Sequence, residues 1–178
     1  MDIPATGSAV EVAYWFLDRA TKDKKKLESD KLQHLLFLAQ ALFSSGDKNT
    51  PVLMPATFVC CKEGFVEPNV DKILELGKPL FSKHNFDKKI ELFLETIWKK
   101  YSELSAIQIA NVLKSHKFYK ENYVAGEKNI VHLKYMVENF SGNSNIKKNE
   151  DTDKKEEKKM LLSQNGPVLV SKWKPRKI

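Results

Sequence analysis

Four histidines are the side chains of this chain best suited to acid-base or metal chemistry. A histidine metal site needs further ligands close by, such as a second histidine four positions away on a helix or a carboxylate at ligand spacing. The four residues, His34, His84, His116 and His132, show neither arrangement. The sequence therefore predicts no metal site.

The adjacent cysteines, Cys60 and Cys61, are the next candidates for chemistry, as thiol nucleophiles. Free cysteines are among the most buried residue types, and these two lie in an apolar run, so we expect structural thiols instead. Neighbouring cysteines rarely reach disulfide geometry, which suits a reducing compartment. Because no glycine-rich phosphate loop occurs either, we predict a protein that is not an enzyme and has no cofactor.

The net charge of +7 over 178 residues invites a nucleic-acid interpretation, but the charge is unevenly placed. From Ser141 onward, ten Lys and Arg residues stand against five Asp and Glu residues. This tail carries +5, which leaves +2 for residues 1–140. Contact with nucleic acid is therefore expected, if anywhere, from the tail, and it would weaken steeply as salt concentration rises.

The start of the chain lacks the basic and apolar regions of a signal peptide. No apolar run approaches the roughly 18 residues that a membrane-spanning helix needs. We expect a soluble, cytoplasmic protein that makes no membrane contact.

The apolar spacing indicates a mostly α fold, a compact bundle of about six helices. A capping box of Ser8 and Glu11 predicts a first helix that runs to about Thr21. The nearly continuous apolar run over 32–43 predicts a second, central helix, and Gly46 is expected to supply a left-handed residue at its exit.

Later segments alternate between breaks and helical spacing. A β-favouring run at 57–61 predicts one short extended segment. Further helices are expected from Pro68, after Asp87, after the Ser105 capping box and over 127–140. In the last two of these helices, the apolar spacing predicts that Val112 and Ile130, among others, point inward.

The segment 141–178 is predicted to be a second region, a charged and largely disordered tail after a helical domain at 1–140. It ends in a short apolar element at 167–173, which contains Val168 and Trp173. We interpret that element as a linear docking motif or as a strand that awaits a partner.

Two segments resemble the opening of the Panacea domain family, which includes the SocA-like and phage-associated GepA-like proteins. Residues 12–17 read Val-Ala-Tyr-Trp-Phe-Leu, and residues 31–39 read Lys-Leu-Gln-His-Leu-Leu-Phe-Leu-Ala. Members of the family begin with a Val-Ala-x-Tyr-Phe-Leu helix and a Lys-Leu-Gln-Lys-Leu-Leu-Tyr-Phe-Ala helix.

The resemblance continues to about residue 140 in the same order. Residues 64–68 are similar to the family's Gly-Pro-Val-x-Pro segment, with Phe65 in place of the proline, and residues 98–106 are similar to its long helix, turn and Leu-Ser-Ala helix start. The family's Thr-His followed by Pro-Trp corresponds to Ser115-His116 and, without the Pro-Trp pair, to Phe118-Tyr119. The chain resembles a divergent member.

The resemblance implies an antitoxin-like bacterial protein of a toxin-antitoxin system, which neutralises a partner toxin by direct contact. For a protein of the SocA type, the resemblance implies an adaptor that delivers its toxin to a protease. The polar or special residues within the matched motifs are the candidate partner-binding positions: Lys31, Gln33, His34, Gly64, Glu67, Ser115 and His116.

Each candidate also has a structural interpretation. Lys31 and Gln33 suit a solvated helical turn, and His34 suits a hydrogen-bonded position beside the core. Gly64 could serve as a left-handed turn residue, and Ser115 and His116 could end a helix. A second functional hypothesis is a proteolytic adaptor or a host-directed interaction protein that binds through Val168 and Trp173 of the tail.

Overall fold

The structure is a computed structural model that describes residues 3–46, 51–77, 84–140, 159–163 and 166–170. The chain divides into two units, 1–145 and 146–178, which are treated separately below. The tail segments 141–158, 164–165 and 171–178 lie outside the described residues. Most of the disorder predicted for the tail falls on these segments, as does Trp173.

The first unit is mostly α-helical, as the sequence predicts, and it also contains one small sheet. Within the described part of this unit there are seven helices: α1 (Ala9–Lys22), α2 (Ser29–Ser45), α3 (Pro68–Glu75), α4 (Lys88–Tyr101), α5 (Ala106–Ser115), α6 (Lys117–Asn122) and α7 (Leu133–Phe140). Three antiparallel strands form the sheet in the order β2-β1-β3: β1 (Phe58–Cys61), β2 (Gly64–Val66) and β3 (Asn129–Val131). No helix of the described ranges has the length and apolar character to cross a bilayer.

Helix α2 lies at the centre of the unit, which confirms the prediction from its apolar run. It packs against α1, α3, α4, α5, α7 and β2. A helix surrounded in this way exposes few side chains to solvent, and every residue from Leu32 to Leu42 is buried.

Aromatic rings join α2 to the sheet and to the C-terminal helices. Phe37 stacks on Phe65 of β2, with ring centroids 3.9 Å apart and planes within 11°. Phe58 and Phe140 meet Phe37 edge-on at 5.4 and 5.9 Å, and Phe118 stacks on Phe65 at 5.5 Å. Phe65, the residue at which the chain departs from the family's proline, is therefore a member of the core.

Polar side chains on the buried helix also fix the segment that precedes β1. The Gln40 Oε1 atom accepts a hydrogen bond from the Met54 backbone N–H at 3.1 Å, and Gln40 Nε2 donates to Ser44 Oγ at 3.2 Å. The Ser44 hydroxyl in turn donates to the Pro51 carbonyl at 2.7 Å. These bonds satisfy buried groups of the helix and of the loop together.

The sheet has two strands more than the sequence analysis predicts. The extended segment at 57–61 exists as β1, but it pairs with β2 after a two-residue turn and with β3 from the far end of the unit. Val131 faces Phe58 in that second pairing. The helix predicted over 127–140 is therefore wrong in its first half, because residues 129–131 pair with the backbone of β1 instead. Ile130, which was predicted to point inward, is 55% exposed.

Two smaller expectations also differ from the structure. Gly46 ends α2 with φ of −81°, a right-handed conformation that any residue adopts, so no left-handed exit forms there. Val112 is 48% exposed, because α5 packs through Ile109, Ala110 and Leu113.

The serines of both predicted capping boxes are N-caps in the structure. At α5 the capping box is complete: Ser105 Oγ accepts from the Gln108 N–H, and Gln108 Oε1 accepts from the Ser105 N–H. At α1, Ser8 Oγ accepts from the Glu11 N–H, but the Glu11 carboxylate accepts from the Gly7 N–H instead of the cap residue.

The described part of the second unit is a β-hairpin. Strand β4 (Lys159–Ser163) pairs antiparallel with β5 (Gly166–Val170), and Leu161 lies opposite Val168. The apolar element predicted at 167–173 is thus a strand over its first four residues. Its strand partner is a segment of the same tail.

Candidate functional site

Two clefts meet at His34 on the first unit. The first, which we call the sheet cleft, has a volume of about 390 Å³ and lies between the start of α2, the β1–β2 hairpin and α3. The second, the α5 cleft, has a volume of about 200 Å³ and lies between the start of α2 and α5. Asp30, His34 and Glu63 line both clefts, so the two form one continuous candidate surface.

Gln33 fixes the wall of the sheet cleft by a two-point contact with the backbone of Glu67. Its Oε1 atom accepts from the Glu67 N–H at 2.9 Å, and its Nε2 atom donates to the Glu67 carbonyl at 3.3 Å. Both residues are buried. The contact holds the start of α3 against α2 and satisfies a buried backbone donor and acceptor that have no partner in the sheet.

The side chain of Glu67 caps α3 from the same position. Its carboxylate accepts hydrogen bonds from the Val70 N–H at 2.7 Å and from Asn69 Nδ2 at 3.0 Å. A carboxylate at a helix N-terminus is stabilised by the free N–H groups there, which accounts for its burial. Glu67 therefore acts on the fold of the cleft wall.

His34 packs against Gly64 so closely that no larger residue fits. A Cβ atom on Gly64 would lie 2.8 Å from His34 Cε1, and Gly64 has φ of +136°, where side chains are strained. The glycine is thus required both by its conformation and by the histidine ring. This arrangement is more specific than the turn position that the sequence suggested.

His34 is a neutral group in this setting. Burial lowers the pKa of His34 below its usual range; Asp30 raises it and Lys114 lowers it by smaller amounts. The residue is 2% exposed, and its Nδ1 atom has no hydrogen-bond partner among the described residues. A buried polar atom without a partner is rare in folded proteins and draws attention to the clefts that the ring lines.

Both cysteines are free thiols; Cys60 is buried, as the sequence predicts, whereas Cys61 is half-buried. Cys60 is buried in the core, and burial raises its pKa to about 11. Cys61 lines the sheet cleft, and burial raises its pKa too. Its carbonyl accepts a hydrogen bond from the Tyr119 hydroxyl at 2.9 Å, and burial raises the pKa of Tyr119 to about 12. Protonated thiols are weak nucleophiles.

Five of the predicted site residues of the first unit are absent from both cleft linings: Gly64 and Glu67, described above, and Lys31, Ser115 and His116. Lys31 Nζ donates to the Ser102 carbonyl at 2.6 Å, at the C-terminal end of α4, and its pKa is lowered by burial and then by Lys25. Ser115 Oγ donates to the Val112 carbonyl at 2.7 Å, and His116 stacks on Phe140 at 4.8 Å between α5 and α6. Their observed contacts are those of structural residues.

The surface also contains residues that the sequence analysis missed. Asp30 precedes His34 by four positions on α2, a spacing that places both on one helix face and could have indicated the pair. Glu63 lies in the β1–β2 turn, and Ile107 lines the α5 cleft with 73% of its surface exposed. Only the folded arrangement brings these two to His34. Across the described ranges, no three His, Cys, Asp or Glu residues are grouped to hold a metal ion.

Replacing Gln33 by Met keeps the shape of the side chain and removes both hydrogen bonds to Glu67. We expect the free energy of unfolding to fall by about 1–3 kcal/mol, because the buried Glu67 N–H is left unsatisfied, whereas the Glu67 carbonyl keeps its bond from the Asp71 N–H. Urea denaturation of Q33M measures this change. The exposed Asn111→Leu variant serves as control, with a change within about 0.5 kcal/mol; an equally small change in Q33M would show that the contact is not stabilising.

The neutral, buried state of His34 makes the domain sensitive to acid. In the unfolded chain its pKa is about 6.5, and in the folded chain it is lower, so the unfolded state binds the extra proton between those values. Stability is therefore present above about pH 6.5 and is lost as pH falls below it, by at most about 1.4 kcal/mol per pH unit for this group.

The measurement is the urea midpoint between pH 7 and pH 5, with the NMR titration of the His34 ring as a direct check. The decline should be shallower in His34→Gln than in the exposed control His132→Gln. Equal slopes in the two variants, or a His34 pKa at or above that of a free histidine, would contradict the assignment.

Comparison of the chain with protein-family models, with curated proteins and with solved structures finds no match. The resemblance to the Panacea family accordingly stays a prediction. The candidate surface rests on its own geometry: two clefts that meet at a neutral, buried histidine.

Proposed function

We propose that this protein is an antitoxin-like binding domain that neutralises a partner toxin by direct contact. The observation that carries the proposal is the continuous surface formed by the sheet cleft and the α5 cleft around His34. Residues of two family-like motifs meet at this surface, since His34 contacts Gly64 and Gln33 binds the backbone of Glu67. Their proximity gives the resemblance a spatial meaning that the sequence alone lacks.

The composition of the surface supports a protein as the ligand. Protein interfaces combine an apolar centre with a polar rim. Here Ile107 is 73% exposed beside the α5 cleft, and Val59 and Val66 line the sheet cleft, with charged side chains around them. Association that covers Ile107 would gain apolar burial, so we expect it to contribute more to binding than the charged rim.

The direct test is co-expression of the chain with the product of its neighbouring gene, with growth and co-purification as readouts. The Ile107→Asp variant should not rescue growth, and it should retain at least about tenfold less partner in co-purification, because a carboxylate would then be buried in the contact. The matched control is Leu92→Asp on α4, which changes an apolar residue that is 60% exposed and lies outside both clefts.

Rescue and complex formation by L92D but not I107D would support the proposed surface. Equal rescue by both variants would contradict it. Failure of the unaltered chain to rescue or to bind would remove the antitoxin-like proposal as a whole.

A second candidate function is an adaptor or host-directed interaction protein that works through the tail. The β4–β5 hairpin supports it, because isolated two-stranded hairpins are marginally stable in water and their outer edges offer strand pairing to another protein. Val168 lies in this hairpin, and Trp173 follows it outside the described residues.

Removal of residues 143–178 discriminates the two candidates. If the clefts are the binding surface, the truncated chain should still rescue growth and retain its partner, and its urea midpoint should match that of the full chain. Loss of rescue with an unchanged urea midpoint would instead assign partner binding to the tail.

A further inference from the structure

The sheet cleft carries more negative than positive charge. Its charged lining consists of four carboxylates, Asp30, Glu63, Asp71 and Glu75, and two lysines, Lys72 and Lys128. Lys72 is already paired with Glu75 at 2.7 Å. Among the described residues the other three carboxylates form no ion pair, so they outnumber Lys128 of this lining and Lys114 of the adjoining α5 cleft taken together.

The floor between these carboxylates is apolar. Val59 of β1 and Val66 of β2 are paired in the sheet register and lie on the same face of the sheet. Both line the cleft, whereas Cys60 and Phe65 of the same strands are buried in the core. A ligand that fits must therefore combine a hydrocarbon segment with a positive end, as long cationic side chains do.

The hydrogen-bond chemistry of the lining points to a cationic group. Ionised carboxylates only accept hydrogen bonds, and an ammonium or guanidinium group offers only donors, so the two complement each other. The His34 ring lies beside these carboxylates without a positive charge, because burial lowers its pKa. Its unpartnered Nδ1 atom is itself buried, so the carboxylates are the acceptors that a ligand reaches.

We propose that the sheet cleft takes a lysine or arginine side chain of a partner polypeptide, with its hydrocarbon stem over Val59 and Val66 and its cation between Asp30 and Glu63, next to His34. The inference rests on the proposed function and names the kind of residue that the partner presents. A polypeptide is the source we assign, because the α5 cleft continues the surface past His34 with Ile107, which a free amine would leave uncovered.

The charge of the cleft also argues against acidic partner segments. An acidic segment would bring like charges together, which is destabilising, and the neutral state of His34 adds no positive charge to compensate. A neutral apolar side chain would cover the valines but leave the carboxylates desolvated without a partner.

The test is an NMR titration of the full-length ¹⁵N-labelled chain with a short peptide, acetyl-Ala-Arg-Ala-amide. The matched probe replaces arginine by citrulline, which keeps the shape and removes the charge. We expect saturable shifts at the amides of Glu63 and Gly64 and at the His34 ring nitrogens, with a Kd below about 10 mM. The citrulline peptide should bind at least about tenfold more weakly.

Variants then localise the binding. Asp30→Asn combined with Glu63→Gln should weaken the arginine peptide at least about tenfold. Glu91→Gln combined with Glu127→Gln changes the net charge equally, at exposed positions outside both clefts, and should leave the affinity unchanged. Free arginine should bind more weakly than the peptide.

Four results would overturn the proposal: no saturable shift at the cleft, equal binding of the citrulline peptide, equal weakening by both variant pairs, or binding of free arginine as tight as that of the peptide. Because the probe contains no toxin, the titration and the co-expression assay fail separately. Growth rescue without binding of the arginine peptide would contradict only the cation site. Specific binding of the peptide without growth rescue would contradict only the antitoxin-like function.

Discussion

A helix that is buried on all sides has to satisfy every polar group that it carries, and the structure of this domain follows from how α2 does so. Gln33 binds the backbone where β2 gives way to α3, Gln40 binds the Met54 N–H, and Ser44 binds the Pro51 carbonyl. Each hydrogen bond satisfies a polar side chain of the helix and also fixes an irregular segment whose backbone is not paired in a β-ladder. The polar residues of α2 thus organise the loops, while its aromatic and aliphatic residues organise the core.

His34 is the member of this set with a polar atom that no described residue satisfies. It lies one position after Gln33, so the contact that anchors the cleft wall also places the ring at the junction of the two clefts. Gly64 packs directly against the ring. A buried polar atom without a partner, close to carboxylates that form no ion pair with any described residue, has the character of a binding site, because proteins tolerate such costs mainly where function requires them.

Local patterns allowed most of the helices to be predicted, whereas the short helix α6 and the pairing of the sheet were missed. Serine caps and three-four spacing are short-range signals, and they located the starts of α1 and α5 correctly. The pairing of β1 with 129–131 depends on residues distant in sequence, and the same apolar spacing there also suits a helix, so the wrong period was chosen. The candidate site likewise contains residues that local patterns indicate and residues that only the fold brings in. Gln33 and His34 stand out within one helix, whereas Glu63 reaches them only through the β1–β2 turn.

The long separation between β1 and β3 has a consequence for how the protein is made. Val131 pairs with Phe58 across 73 positions of the chain, so β1 leaves the ribosome well before its second partner is synthesised. In that interval one edge of β1 presents unpaired backbone groups in an apolar strand, which is the type of edge that joins other chains. The nascent chain therefore depends on the late arrival of β3 to close the sheet, and slow translation of residues 62–128 would prolong its exposure to aggregation.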